Sequence, residues 1–229
     1  MPGATDFSRL RSLSLSRSQN ALKTSTGDTI GTDSLSTVDW VQELYDEPGM
    51  ELLLSCGAMS NVKDGTTGID PDHLFLSMLR QKLITDICFM WNPESRHFYT
   101  LVALGSDIAG HPRITHGGLT AALIDETTGG LVFEMKNAGL LGDGRAFTAH
   151  LEVDYKRPLP TGINACCTAR VLSVEGRKIW VGAEMVDRPG GVPYAVGKAL
   201  YVTPRESATT TAEPTTAAAS ATATQDKTY

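Results

Sequence analysis

Hydrophobic and polar positions divide this chain into four stretches. Residues 1–35 are rich in Ser and Thr with no hydrophobic period, and residues 204–229 are Thr- and Ala-rich with almost no large apolar side chain. Neither end can bury enough surface to offset its ordering entropy, so both are expected outside the fold. Residues 36–79 read as a helical extension. Thr37 or Asp39 offers an N-cap, Trp40, Leu44 and Leu52 to Leu54 are apolar anchors, and Gly49 is expected to split the stretch into two short helices. Gly65, Gly68 and Pro71 mark residues 61–72 as a loop, and His73 to Leu79 predict one or two further helical turns.

Residues 80–203 carry the regular pattern. Gln81–Met90 and His97–Gly105 flank the turn signal Asn92-Pro93-Glu94-Ser95 and predict a hairpin. A Gly- and Pro-containing loop, Ser106 to Arg113, then leads into Ile114 to Met135, where Leu119, Ala122, Leu123, Thr127, Gly130 and Leu131 recur with the period of a buried helix. Asn137 to Arg145 is a glycine-rich connection. Four strand-like segments follow: Ala146–Lys156, Gly162–Val174, Lys178–Asp187 and Tyr194–Thr203. In the first, Phe147, Ala149, Leu151, Val153 and Tyr155 alternate with Thr148, His150, Glu152 and Asp154, the period of a half-buried strand. One apolar helix among strands needs a sheet wrapped around it. The expected class is therefore α+β, an antiparallel sheet curled over one long central helix, with extra N-terminal helices.

Composition narrows the function classes. The net charge of −6 argues against nucleic acid as a partner, because phosphate binding needs a concentrated basic face. No apolar run approaches the length of a membrane span without charges or glycines. Cys56, Cys88, Cys166 and Cys167 form no CxxC pair and the histidines show no metal spacing, so neither metal nor cofactor is expected and a reducing compartment fits. Between Phe7 and Gly27 the chain has Arg9, Arg11, Arg17 and Lys23 and no acid. That composition reads as a mitochondrial transit peptide; the alternative is a phosphorylatable arm on a cytoplasmic protein.

Candidate chemistry sits on the central helix. Gly117 and Gly118 at its start leave backbone N–H groups without intrahelical partners, where the helix dipole adds partial positive charge. Such an end can hold a carbonyl oxygen that becomes an oxyanion; a simple turn is the plainer reading of two glycines. Asp125 interrupts the apolar run with a carboxylate, which is costly unless paired, hydrated or functional. Asp125 and Glu126 diverge by about 100°, so only one of them can share the face of Ala122 and Gly129.

Read in order, HGGLTAALIDETTGG followed by TAHLEVDYKRPLP resembles the hotdog-fold acyl-CoA thioesterases, in the PaaI-like branch that includes the mammalian thioesterase superfamily members. The resemblance covers roughly residues 80–203 and implies the hotdog fold, hydrolysis of a medium- to long-chain fatty acyl-CoA, and a homodimer, possibly paired into a tetramer, with active sites across the interface. It also implies residue roles. The Gly117 amide polarises the thioester carbonyl, Asp125 of the partner subunit acts as base or nucleophile, Thr148 orients the attacking water, and His116 fixes the loop or contacts the thioester. Gly118 is expected against the substrate, and because coenzyme A phosphates need surface cations, Lys156 and Arg157, with Lys178 and Arg188, are candidates to meet them. Some members carry Asn or Gln six residues before the histidine, where this chain has Gly110; Glu126 is read as structural. Three other readings stay open: hydrolysis of an acyl or polyketide thioester on a carrier protein, a hydratase on the same fold, and a non-catalytic acyl-binding dimer.

Overall fold

The computed structural model describes residues 35–53, 60–63, 66–69 and 73–205. The expected N-terminal arm, apart from Leu35, and the C-terminal tail, apart from Pro204 and Arg205, lie outside the described residues. A 3-10 turn at Leu35–Thr37 leads into α1, Asp39–Tyr45, and α2 spans Leu74–Arg80. The strands are β1 (Glu51–Leu53), β2 (Ser60–Lys63), β3 (Thr66–Ile69), β4 (Ile84–Asn92), β5 (His97–Leu104), β6 (Ala109–His111), β7 (Ile114–Thr115), β8 (Phe147–Tyr155), β9 (Asn164–Glu175), β10 (Lys178–Val186) and β11 (Ala195–Val202). The long helix, α3, spans Gly117–Asn137.

Seven strands form one antiparallel sheet in the order β1-β4-β5-β9-β10-β11-β8, and α3 packs against β5, β8, β9, β10 and β11. This is the hotdog arrangement expected from the sequence. Close approach of helix and sheet depends on two glycines. A Cβ on Gly130 would lie 2.5 Å from the Phe98 ring, and one on Gly197 would lie 2.4 Å from Ile124.

The sheet has cores on both faces. Phe98, Val102 and Leu104 of β5 pack inward with Leu123, Leu131 and Met135 of α3. Tyr99, Leu101 and Ala103 of the same strand face outward, where Leu35, Val41 and Leu44 cover them. Burial on both faces explains why β5 reads as a continuous apolar run rather than an alternation.

Four expectations are corrected. Gly49 does break the chain, with φ of 75°, but the residues after it form β1, paired with β4, instead of a second helix. A three-residue strand has no period of its own, and pairing decides its conformation. Residues 61–72 are not all loop, since β2 and β3 pair. Gln81–Leu83 is a turn, with Lys82 at φ 58°, and the strand begins at Ile84. Within the Ser106–Arg113 loop, β6 forms a short ladder with β7.

The alternation in β8 is present but the strand is not half-buried. It is the last strand of the sheet, and Phe147 and Tyr155 are 59% and 56% exposed. Its pairing with β11 shifts between Leu200 and Tyr201: Leu200 opposes His150, while Tyr201 opposes Thr148. Ala149 is thus an extra residue in the strand, a bulge that reverses which face Thr148 occupies.

Candidate functional site

His116 ends the β6–β7 segment and caps α3. Its Nδ1 accepts a 2.9 Å hydrogen bond from the Gly118 amide, and its carbonyl accepts from Leu119 and Thr120. With Nδ1 accepting, the neutral ring carries its proton on Nε2, a donor available to a ligand. The Gly118 amide serves this cap, whereas the Gly117 amide has no protein acceptor among the described residues. A Cβ would be tight at both positions: on Gly118 it would sit 3.0 Å from His116 Nδ1, and on Gly117 it would sit 3.3 Å from the Tyr155 hydroxyl. That hydroxyl donates to the Gly117 carbonyl at 2.8 Å and fixes the end of β8 against the helix start.

Gly110 packs on the same histidine. A Cβ there would lie 3.1 Å from His116 Cα and 3.2 Å from its Cδ2. An Asn or Gln at this position would press on the capping residue.

Two turns along α3, Thr148 Oγ1 donates to Asp125 Oδ1 at 3.0 Å. The Ala149 bulge makes this contact possible, because it turns Thr148 onto the face that β8 presents to the helix. Tyr201 joins them from β11. Its hydroxyl lies 3.1 Å from the Asp125 carbonyl oxygen, 3.4 Å from Oδ1 and 3.0 Å from Thr128 Oγ1. Burial, and then the Asp125 charge, push the Tyr201 phenol well above its ordinary pKa, so it is a neutral donor.

Glu126 points elsewhere. Its Oε2 lies 3.7 Å from His73 Nε2, with 10% and 15% of the two side chains exposed, so the neighbouring acid tethers the N-terminal segment to α3. Lys156 Nζ pairs with Asp154 at 3.1 Å, and the Arg157 guanidinium lies 3.7 Å over the Tyr194 ring while donating to the carbonyls of Val192 and Pro193. Both cations follow Tyr155 directly and therefore lie at the helix-start end of β8.

Within one chain the structure brings His116, Gly117 and Gly118 together at the helix start and Asp125 with Thr148 two turns along, groups that the resemblance joins in one site across two subunits. Sequence reasoning missed Tyr201 and Thr128, and used Tyr155 only as a landmark. Tyr201 stands 76 residues from Asp125, so only the strand order could reveal the pair.

Residues 113–194 match the thioesterase superfamily, a stretch that includes His116, Gly117, Asp125 and Thr148. The chain is 31% identical over 118 residues to acyl-coenzyme A thioesterase THEM4 of Xenopus laevis, covering 51% of this chain and 50% of that protein. It is 29% identical over 112 residues to acyl-coenzyme A thioesterase THEM5 of Mus musculus, covering 49% and 42%. The chain spans about half the length of the curated relatives it matches. Among solved structures, the E. coli PaaI protein from the phenylacetic acid degradation operon aligns with a TM-score of 0.42 at 14% identity, covering 48% of this chain and 74% of that one.

Proposed function

We propose that this chain is an acyl-CoA thioesterase, releasing coenzyme A and a free fatty acid of medium to long chain. The observation that carries the reading is the Thr148–Asp125 hydrogen bond on a helix whose first amide is unengaged. The thioester carbonyl oxygen accepts from the Gly117 amide, with the His116 Nε2 proton beside it. Asp125 takes a proton from a water that Thr148 holds through its oxygen. The water oxygen bonds to the carbonyl carbon, the C–S bond breaks, and the departing thiolate recovers the proton. Donors aimed at a developing oxyanion contribute on the order of 10²–10³ in rate.

Spacing along α3 supports a site shared by two copies. Gly117 and Asp125 are two turns apart, about 12 Å at the usual helical rise. A donor and a base acting on one carbonyl must stand much closer, so each Asp125 works with the Gly117 of a partner subunit in a homodimer. Lys156 and Arg157 flank the helix start where coenzyme A phosphates would lie. The acid-free basic stretch between Phe7 and Gly27 supports a mitochondrial location, which mapping of the mature N-terminus tests.

The deciding experiment is free-thiol release from acyl-CoAs of increasing chain length, with Asp125→Asn and Gly117→Pro alongside. Proline suits the first helical position yet has no N–H, so it deletes the donor, while its ring also crowds the Tyr155 hydroxyl that a Cβ there would meet at 3.3 Å. Turnover that peaks at one chain length and is lost in both variants is expected. Mixed dimers of the two variants should regain activity, since one of their two sites is intact. Turnover only on carrier-protein thioesters, or tight acyl-CoA binding without release, overturns the assignment.

A further inference from the structure

Asp125 is bonded by more protons than its own reaction needs, and their arrangement has two settings. Tyr201 has one hydroxyl proton and three acceptors in reach, the Asp125 carbonyl at 3.1 Å, Asp125 Oδ1 at 3.4 Å and Thr128 Oγ1 at 3.0 Å, and the Thr148 hydroxyl also bears on its oxygen. Thr128 also has one proton, with the Ile124 and Asp125 carbonyls each 3.0 Å away and the Tyr201 oxygen at the same distance.

We propose that Tyr201 is a positioning residue for Asp125: its phenol donates to the carboxylate while that group is charged and turns to Thr128 once the carboxyl has taken up a proton. The inference rests on the reading of Asp125 as the base. In the first setting the Tyr201 proton lies in the fork between the two Asp125 oxygens, and Thr128 donates to the phenol oxygen. In the second, Tyr201 donates to Thr128, and Thr128 donates to the Ile124 carbonyl. Passing from one to the other rotates two hydroxyl protons, moves no heavy atom and leaves no donor unpaired.

The surroundings suit such a switch. Tyr201 is 4% exposed, so bulk water does not compete for its proton. The helix makes room for the phenol at Gly129, where a Cβ would stand 3.2 Å from the hydroxyl. From β8 the group nearest the carboxylate is the Thr148 hydroxyl, which does not titrate. From α3 the charge bearing on Tyr201 is that of Asp125, while Glu126 faces His73. The phenol keeps its proton throughout, raised by burial and by that neighbouring charge. A donor that follows the charge favours the ionised base before attack and lets go as the proton arrives.

The test is a pair of changes with opposite sign, read by carboxyl-carbon NMR titration of Asp125 and by the pH dependence of kcat for acyl-CoA hydrolysis. Tyr201→Phe removes a donor to the charged form, so the titration midpoint and the acid limb both move to higher pH. KM stays within about twofold, because Tyr201 lies behind the carboxylate; kcat falls about three- to tenfold, the scale of one hydrogen bond to a charged group. Site-specific 3,5-difluorotyrosine at position 201 keeps the packing and donates more strongly, so the midpoint moves to lower pH. A tyrosine that merely packs moves neither, and midpoints coinciding with the wild type overturn the proposal whatever happens to kcat. The titration does not depend on turnover. A moved midpoint in a protein that releases no thiol therefore overturns the thioesterase reading, and the positioning role with it, separately from a failure of the Tyr201–Asp125 coupling.

Discussion

The Thr148 hydroxyl donates to the Asp125 carboxylate across 3.0 Å, although strict alternation along β8 would turn Thr148 away from the helix side that Leu151 and Val153 share. The Ala149 bulge inserts the one residue that reverses the facing. A bulge beside an active group re-aims a side chain while leaving the rest of the strand paired.

The hydroxyl and not the side-chain shape is what Asp125 uses. Thr148→Val is expected to lower kcat for thioester hydrolysis about tenfold with little change in KM, while Thr148→Ser keeps most of the activity. Steady-state kinetics on the three proteins checks it; equal activity in Val and wild type would remove Thr148 from the site.

Glu126 should matter for stability and not for turnover. Its carboxylate faces His73 in a largely buried contact, and removing one partner leaves the other without its counterpart. Glu126→Gln is expected to retain at least half of kcat and to lose roughly 1–2 kcal/mol in urea unfolding. A Glu126→Gln enzyme as dead as Asp125→Asn would assign the chemistry to the wrong acid.

Gly110 is held small by His116. Gly110→Asn, although it restores a residue found in some members of the resembling family, presses on the capping histidine at 3.1–3.2 Å. Activity is expected to fall and not rise, with a lowered Tm as the cap loosens. A gain in kcat/KM would show that the loop yields and that the asparagine finds a use.

The two adjacent cysteines should be inert in the folded protein. Burial pushes the Cys166 and Cys167 thiols up to about 12. At pH 8 only about one in ten thousand of each is thiolate, the reactive form. Iodoacetamide followed by peptide mass mapping should leave both unmodified until urea is added; labelling of the native protein would contradict their burial.

Much of the fold was legible because its signals are local. The period from Leu119 to Leu131 marked α3, and Pro158, Gly176 and Gly190 marked the breaks between the last four strands. Elements created by distant pairing were not legible. Leu52 and Leu53 look as helical as Leu44, and only β4 makes them a strand. The Ala149 bulge has no residue signature, since alanine fits either setting of the ladder. At the site, His116, Gly117 and Asp125 lie within one helix and its cap and were read together. Tyr201 approaches from the opposite end of the domain sequence, and a tyrosine in an alternating strand looks like any other core residue.

The two borders of the sheet differ in kind. On one side β1 pairs with Phe89 to Trp91 near the end of β4, and on the other β8 runs nine residues with no further partner strand among the described residues. The β8 border thus presents a nine-residue edge of backbone donors and acceptors, the kind of edge onto which another strand can add.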